Sequence, residues 1–502
     1  MSENLTGYPS IDKPWMKQYK DKQCLYNNPE QTIYSFIREI NVNYMDSYAI
    51  VYFGRKISYK RFFVMIEKCR DNLAALGIGE GDIITIHTLA IPQSYILMYA
   101  LSMLGACANF IYATSTEKDT KDILIRTKSK MYVVLDKIYQ KMSDNLIKDT
   151  FVENIMLLSF ADEMDILHKL FYLCISKNKI VKNNILFWKD FIRMNESKFD
   201  KTYDGSLPVA MVYTGGTTGK SKAVEINSHN LNYAAYQCIN AGMNYRRGAK
   251  ILNTLPPFIA YGLTIGVHLP LAAGIRIILE PDSSLEKAGE LFAKHKPNYY
   301  ASGAVQVDNI IHNKKVKKMS LDFIEQIVTG GDALPITQER KINEFLRGHN
   351  SDKKVIKGYG MTEITALITV ETPNINKEGS VGMPSPLTNV KIIDSDSFEE
   401  LKYGEVGEIC VTSKCIMSQY FNDKNATDEV MKVHKDGNIW LHTGDLGFVD
   451  EEGYLTIVGR IKRMILCREG ATFHKVFPKI IEEKIETVEG VMAVAVVGKP
   501  NI

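Results

Sequence analysis

"VYTGGTTGKSKAV", Val212 to Val224, holds glycine-flanked threonines followed by a lysine, a serine and a second lysine. The preceding "VAMVY" reads as a strand, and Thr214 to Lys222 as a loop leading to a helix around Asn230 to Cys238. Backbone N–H groups bared by glycine, the hydroxyls of Thr214, Thr217 and Thr218, and two lysine charges can together surround a polyphosphate. The plain alternative is a flexible surface turn. The P-loop spacing G-x-x-x-x-G-K-[ST] fails by one, because the residue five before Gly219 is Thr214 and Gly215 leaves three residues between.

The surrounding chain sets the fold class. "YAIVYFGRKISYKRFFVMIEKCRDNLAAL" reads as a β-hairpin and then an amphipathic helix with Phe62, Phe63, Ile66, Cys69, Leu73 and Leu76 on its apolar side. Short apolar runs, "DIITIHTL", "MYVVLD" and "NIMLLS", alternate with helical segments, which predicts an α/β protein built on largely parallel sheets. "SYILMYALSMLGACANFIY", Ser94 to Tyr112, approaches the length of a membrane span but is broken by Gly105 and Asn109, and reads as a buried core helix. The basic, apolar text between about Phe160 and Ser197 has helical spacing that suits a membrane surface, yet an ordinary helix docked on the core is the simpler expectation. From Thr388 short strands with turn signals suggest a small β-rich unit, ending in the hairpin "FVDEEGYLTIVGR". Beyond Arg460 a charged segment leads to a helix and then a strand.

A formal net charge of +3 on 502 residues gives no field for nucleic acid, and no basic run is interleaved with aromatics. The eight cysteines form no C-x-x-C pair, which argues against a zinc site and a disulfide framework. The polar N-terminus lacks a charged-then-apolar signal, so a cytoplasmic location without an integral membrane segment is expected.

Further strings follow in fixed order: "VTGGDALP" (Val328 to Pro335), "GYGMTE" (Gly358 to Glu363), "HTGD" (His442 to Asp445) and "GRIKR" (Gly459 to Arg463). With "YTGGTTGKSKAV" they resemble the adenylate-forming enzymes, the superfamily of acyl-CoA synthetases, luciferase and peptide-synthetase adenylation domains. The resemblance runs from about Asp46 to the end, and it implies a large domain over 1–459 built on two parallel-type sheets with flanking helices, its β-rich part at 388–459, followed by the hinge and incomplete start of a small α+β domain over 460–502.

The resemblance implies activation of a carboxylate by ATP to an acyl-adenylate, with Mg²⁺, and then transfer to a thiol. By resemblance Thr214, Gly215, Gly216, Thr217, Thr218, Gly219, Lys220 and Lys222 hold the β- and γ-phosphates, Thr362 bonds the α-phosphate, and Glu363 binds the metal. Tyr359 offers a ring on which adenine stacks against the backbone of Gly330 to Asp332, and Gly331, Asp332, Ala333 and Gly360 belong to the same nucleotide site. Asp445 accepts the ribose hydroxyls, Arg460 assists, and Lys462 occupies the hinge position. These groups suit the chemistry, since a carboxylate attacking a phosphate gathers anions that cations and N–H donors must neutralise. Taken singly, Asp445 is equally a turn aspartate and Glu363 a helix-start carboxylate.

Two departures qualify the resemblance. The family's adenylation lysine lies near the end of a C-terminal domain of which 42 residues follow Arg460 here, so the expectation is a truncated chain that binds ATP and acid but adenylates poorly. "ILCREGATFHKVFPKIIE" also carries about three extra residues before "KVFP", facing the thiol acceptor in the family. CoA is the expected acceptor, with a carrier-protein phosphopantetheine arm as the alternative.

No acidic residue occurs in "LPPFIAYGL", Leu255 to Leu263, where amino-acid-activating domains pair the substrate ammonium, and an unpaired buried ammonium is expensive. Phe258, Ile259, Tyr261 and Gly262, with Ala301, Ser302 and Gly303, are the expected pocket for a fatty or other apolar carboxylic acid. Three readings stand: an acyl-CoA ligase, a loading enzyme serving a carrier protein, and a nucleotide-binding relic without catalysis.

Overall fold

Two wide sheets realise the alternation of strand and helix in a computed structural model. It describes residues 5–19, 28–175, 185–194, 196–214, 221–282, 284–469, 472–485, 488, 491 and 494–498. In the first sheet Tyr48–Tyr52, Arg276–Leu279, Lys250–Asn253, Tyr299–Ser302, Gln326–Gly330 and Val355–Tyr359 run parallel, with antiparallel strands at both edges. In the second, Ile185–Phe187, Asn154–Leu158, Met131–Leu135, Ile83–His87, Cys107–Phe110 and Pro208–Tyr213 run parallel. Helices cover such sheets on both faces, so the strands are unbroken apolar runs; Met131–Leu135 is buried at every residue.

The helix Tyr59–Ala75 begins where the Ser58 hydroxyl accepts from the Arg61 N–H, and it buries Phe62, Phe63, Ile66, Cys69 and Leu73 as the spacing predicts. Pro92–Ser102 is buried throughout, which is why it is apolar on every side. The long apolar stretch is therefore a core helix followed by the strand Cys107–Phe110. Among the described residues no helix is long and apolar enough to cross a membrane.

Three local expectations are corrected. The loop after Tyr213 does not enter a helix directly: Ala223–Asn227 first returns antiparallel to Pro208–Tyr213, and the helix starts at Ser228, capped by Asn227. The helix Ile166–Ile175 is not docked by its apolar face. Ile166, Leu167, Leu170 and Phe171 are 77%, 78%, 57% and 68% exposed, while Lys169 and Tyr172 are the half-buried side chains. Finally, the described residues 494–498 form no strand.

The β-rich unit is a five-stranded antiparallel sheet of Thr388–Ile393, Gly407–Ser413, Ile439–Val449, Met431–Val433 and Leu455–Arg460. The hairpin Ile465–Glu469 and Thr472–Val476 and the helix Pro478–Ile485 follow it.

Candidate active site

Parallel pairing brings three loops together. Ser302 lies opposite Thr329 and Gly330 opposite Gly358, so residues 301–303, 329–332 and 358–363 leave the carboxyl ends of adjacent strands. Open α/β sheets bind ligands at such ends.

The first cluster centres on Asp445. Its Oδ2 accepts the Tyr359 hydroxyl at 2.7 Å, its Oδ1 lies 2.9 Å from Arg460 Nε, and its own N–H donates to Thr443 Oγ1 at 3.1 Å. Antiparallel register sets Asp445 opposite Arg460, which is why the two motifs meet. Asp445 is buried and Arg460 exposed, so the carboxylate lies inside the fold with its counter-charge on the solvent side. Burial raises the Asp445 carboxyl above its ordinary value, against the opposing pull of Tyr359, Arg460 and Lys479. Burial, with the Asp445 charge adding to it, also pushes the Tyr359 hydroxyl well up, so Tyr359 remains a donor.

The second cluster centres on Glu363. Tyr420 donates its hydroxyl to Glu363 Oε1 at 2.6 Å, and Lys222 Nζ stands 4.7 Å from the Tyr420 ring centroid. Among the described residues no hydrogen bond is made to the other carboxylate oxygen, which suits a hard cation. The turn after Glu363 is strained: Thr365 and Ala366 have φ of 53° and 92°. It is held by Thr264 Oγ1 donating to Thr365 O at 3.1 Å and by Thr365 Oγ1 donating to Cys415 O at 2.7 Å. Thr264 opens the π-helical turn Thr264–His268, directly after the expected acyl segment.

Residues 37–421, more than half of the chain, match the family model described as AMP-binding enzyme. The chain belongs to the AMP-binding enzyme family. It is an adenylate-forming enzyme. The long-chain-fatty-acid–CoA ligase of Bacillus subtilis (strain 168) is 25% identical over 97% of this chain and 87% of its own length. Probable 4-coumarate–CoA ligase 1 of Dictyostelium discoideum is 29% identical over 82% of this chain and 73% of its own. The crystal structure of the anthranilate CoA ligase AuaEII with anthranoyl-AMP superposes with a TM-score of 0.80 at 18% identity, covering 95% of this chain and 85% of that one. The long-chain-fatty-acid-CoA ligase FadD1 from Archaeoglobus fulgidus gives 0.74 at 20% identity, covering 96% and 91%. These structures share the fold.

In this AMP-binding enzyme the neck of the glycine-rich loop is pinned. Thr214 N donates to Lys222 O at 3.0 Å, Lys222 N to Thr214 Oγ1 at 3.3 Å, and Ser221 Oγ to Thr214 O at 2.6 Å. Gly215, Gly216, Thr217, Thr218, Gly219 and Lys220 lie outside the described residues. Gly331, Asp332 and Ala333 are exposed, and an ideal Cβ on Gly303 would come 3.3 Å from Asp332 Oδ2. Gly360 allows the chain to touch itself, since a Cβ there would lie 1.6 Å from Ala366 O. Thr362 opens the 3₁₀ turn that presents Glu363.

On the acyl side, Phe258 packs on Tyr112 with ring centroids 4.9 Å apart, and Ile259 precedes the short helix Ala260–Leu263. Gly262 is required there because a Cβ would lie 1.9 Å from Pro256 O. An ideal Cβ on Gly330 would stand 3.4 Å from the Tyr261 ring, and the buried Tyr261 hydroxyl has no hydrogen-bond partner among the described residues. A buried hydroxyl left so is costly, which fits a ligand group completing it. Ala301 and Ser302 end their strand and Gly303 caps the next helix. Lys462 is exposed on the turn Ile461–Arg463, two residues after Arg460.

Sequence reading missed Tyr420. It sits 57 positions from Glu363 and reaches it because Gln419–Tyr420 pairs with Glu225 and Val224 at the foot of the glycine-rich loop. No motif marks it. Lys479, whose charge acts on Asp445 from the helix Pro478–Ile485, was equally silent.

Proposed function

We propose that this enzyme uses ATP to convert an apolar carboxylic acid, a fatty acid in the first instance, to its acyl-adenylate, and passes the acyl group to the thiol of CoA. The carboxylate oxygen bonds to the α-phosphorus as the bond to the β-phosphate oxygen breaks and pyrophosphate leaves. The thiol then bonds to the acyl carbon, AMP departs, and the thiol proton passes to solvent.

The observation that carries the reading is the convergence of the Asp445 and Glu363 clusters at the strand ends, four residues apart through Tyr359 and Glu363. In this reading Asp445, oriented by Tyr359 and Arg460, accepts the ribose hydroxyls. Gly331, Asp332, Ala333 and Gly360 flank adenine, and Thr362 donates to the α-phosphate. Thr214, Lys222 and the loop between them hold the β- and γ-phosphates. Glu363, its carboxylate fixed by Tyr420, would hold Mg²⁺, which would supply neutralising charge to the phosphates. Phe258, Ile259, Tyr261, Gly262, Ala301, Ser302 and Gly303 line the acyl pocket, whose lack of an acidic side chain disfavours an ammonium-bearing substrate.

Relatives named as long-chain-fatty-acid–CoA ligases support the substrate class and the acceptor. The boundary near 459 and 460 and a pivot at Lys462 belong to the same reading, as does a cytoplasmic location. One feature favours keeping a carrier-protein arm as second acceptor: the hairpin Ile465–Glu469 and Thr472–Val476 stands where the resemblance leads to a shorter turn.

Pyrophosphate release from ATP, measured across fatty, aryl and amino acids and followed by thioester formation on CoA, tests the proposal. Release with fatty acids and formation of acyl-CoA are the expected results, slow in the chain as given and faster in a form extended to carry an adenylation lysine. ATP binding without release for any acid in both forms would sink it.

A further inference from the structure

The β-rich unit carries a side-chain cluster that adenylation does not use. Cys410 and His442 are register partners on Gly407–Ser413 and Ile439–Val449, so their side chains share one face. Glu408, two residues before Cys410, lies on the same face. The turn between Met431–Val433 and Ile439–Val449, closed by His434 N donating to Asn438 O at 3.1 Å, folds His434 back over this face. One ligand atom from each of Cys410, His434 and His442 lies within 4.8 Å of the others.

Against the expectation from cysteine spacing, which a site of one cysteine and two histidines escapes, we infer that Cys410, His434 and His442 form a zinc site. The two imidazoles meet Nε2 to Nε2 at 3.0 Å. In a tetrahedral Zn²⁺ site, ligand atoms stand about 3.3–3.6 Å apart, so small side-chain shifts admit the ion. The other nitrogen of His442 is engaged: Nδ1 lies 3.0 Å from Glu408 Oε2. With Nδ1–H donating to that carboxylate, Nε2 carries the lone pair a metal needs, which is the usual carboxylate support for a histidine ligand. His434 is steered by its ring, stacked on Trp440 with centroids 5.8 Å apart.

The charges balance. A Cys410 thiolate and the Glu408 carboxylate offset a divalent ion, and the neighbouring Lys391 is tied to Asp436 at 2.9 Å. One thiolate and two imidazoles suit zinc better than magnesium or calcium, and leave a fourth position for water. The ion would clamp the strand that presents Asp445, since Glu408 also accepts the Gly444 N–H at 3.2 Å through Oε1. An ordinary hydrogen bond between the two imidazoles is the competing account, and it leaves Cys410 idle.

The experiment loads the metal-stripped full chain with Zn²⁺, and separately with Co²⁺, which reports thiolate ligation by absorption. One ion per chain is expected, with a thiolate-to-Co²⁺ charge-transfer band and a higher Tm in Zn²⁺. Cys410→Ser should abolish the band, and His434→Gln, at a half-buried turn position, should lower affinity at least about tenfold and remove the Tm rise. Glu408→Gln should weaken binding about 10- to 100-fold. No stoichiometric Zn²⁺ in the unsubstituted chain would overturn the assignment, as would a band and Tm rise that survive both Cys410→Ser and His434→Gln. If Cys410→Ser does not fold, His434→Gln decides alone.

Discussion

Tyr420 donates its hydroxyl to Glu363 Oε1 at 2.6 Å, tying the foot of the glycine-rich loop to the carboxylate proposed for Mg²⁺. A hydrogen bond to a charged group is worth about 1.5–3 kcal/mol. Tyr420→Phe should therefore lower kcat by about 10- to 100-fold in pyrophosphate release with an unchanged circular dichroism spectrum. A kcat within twofold of the parent would remove Tyr420 from the machinery.

Asp445 is expected to govern ATP affinity. Asp445→Asn should raise the ATP Kd by about 10- to 100-fold, the cost of a lost charge-assisted contact. Since burial raises the Asp445 carboxyl above the usual range, ATP affinity should be complete above that raised value and fall as pH drops through it. Calorimetric titration across mildly acid pH reads both effects; a pH profile identical in Asp445→Asn would contradict the role.

A buried ion group on the strand that ends at Tyr359 gives stability a pH dependence. Lys357 Nζ lies 2.6 Å from Glu339 Oε2 and 3.3 Å from Glu371 Oε1, all three side chains being buried. Burial, with the Glu339 charge adding to it, raises the Glu371 carboxyl from 4.5 to about 7 against the pull of Lys357. The folded state thus holds a proton that the unfolded chain has released. Its contribution is complete below the unfolded value and lost as pH rises through about 7, up to about 3 kcal/mol in all. Urea midpoints should fall from pH 5 to 8, and Glu371→Gln should flatten that slope.

Two glycines should respond differently. Gly360→Ala places a Cβ 1.6 Å from Ala366 O and should cost about 3 kcal/mol or more while displacing the Thr362 turn. Gly331→Ala meets open space at φ +86°, so backbone strain of about 1–2 kcal/mol is its expected penalty. Thermal melts rank the pair, and equal Tm losses would refute the packing argument.

Tyr261→Phe removes a buried hydroxyl that has no partner among the described residues. Without ligand the variant should be as stable as the parent or slightly more so. Where the hydroxyl completes a bond to substrate, KM should rise about fivefold or more, in line with one neutral hydrogen bond. An unchanged KM for every acid would leave the hydroxyl without a ligand role.

Much of the fold was legible because burial writes itself as periodicity. The hairpin and helix from Tyr48 to Ala75 were read from alternation and 3.6-residue spacing, and Pro92–Ser102 from its unbroken apolar run. The helix Ile166–Ile175 was misjudged because an apolar helical pattern shows that a face exists without showing what covers it. The strand Ala223–Asn227 was missed because polar Glu225 interrupts its apolar run, while its hydrogen bonds come from strands at both sides.

The sequence by itself determined the α/β class, the order of the motifs and the residue types that can meet phosphate, ribose and metal, because local spacing and side-chain chemistry carry that information. Only the tertiary structure decided which distant groups share a site. Tyr420 with Glu363, Tyr359 with Asp445, and Cys410 with His434 and His442 are set side by side by strand register and crossover connections. Register is a collective outcome of which faces are buried, and no short window of sequence contains it.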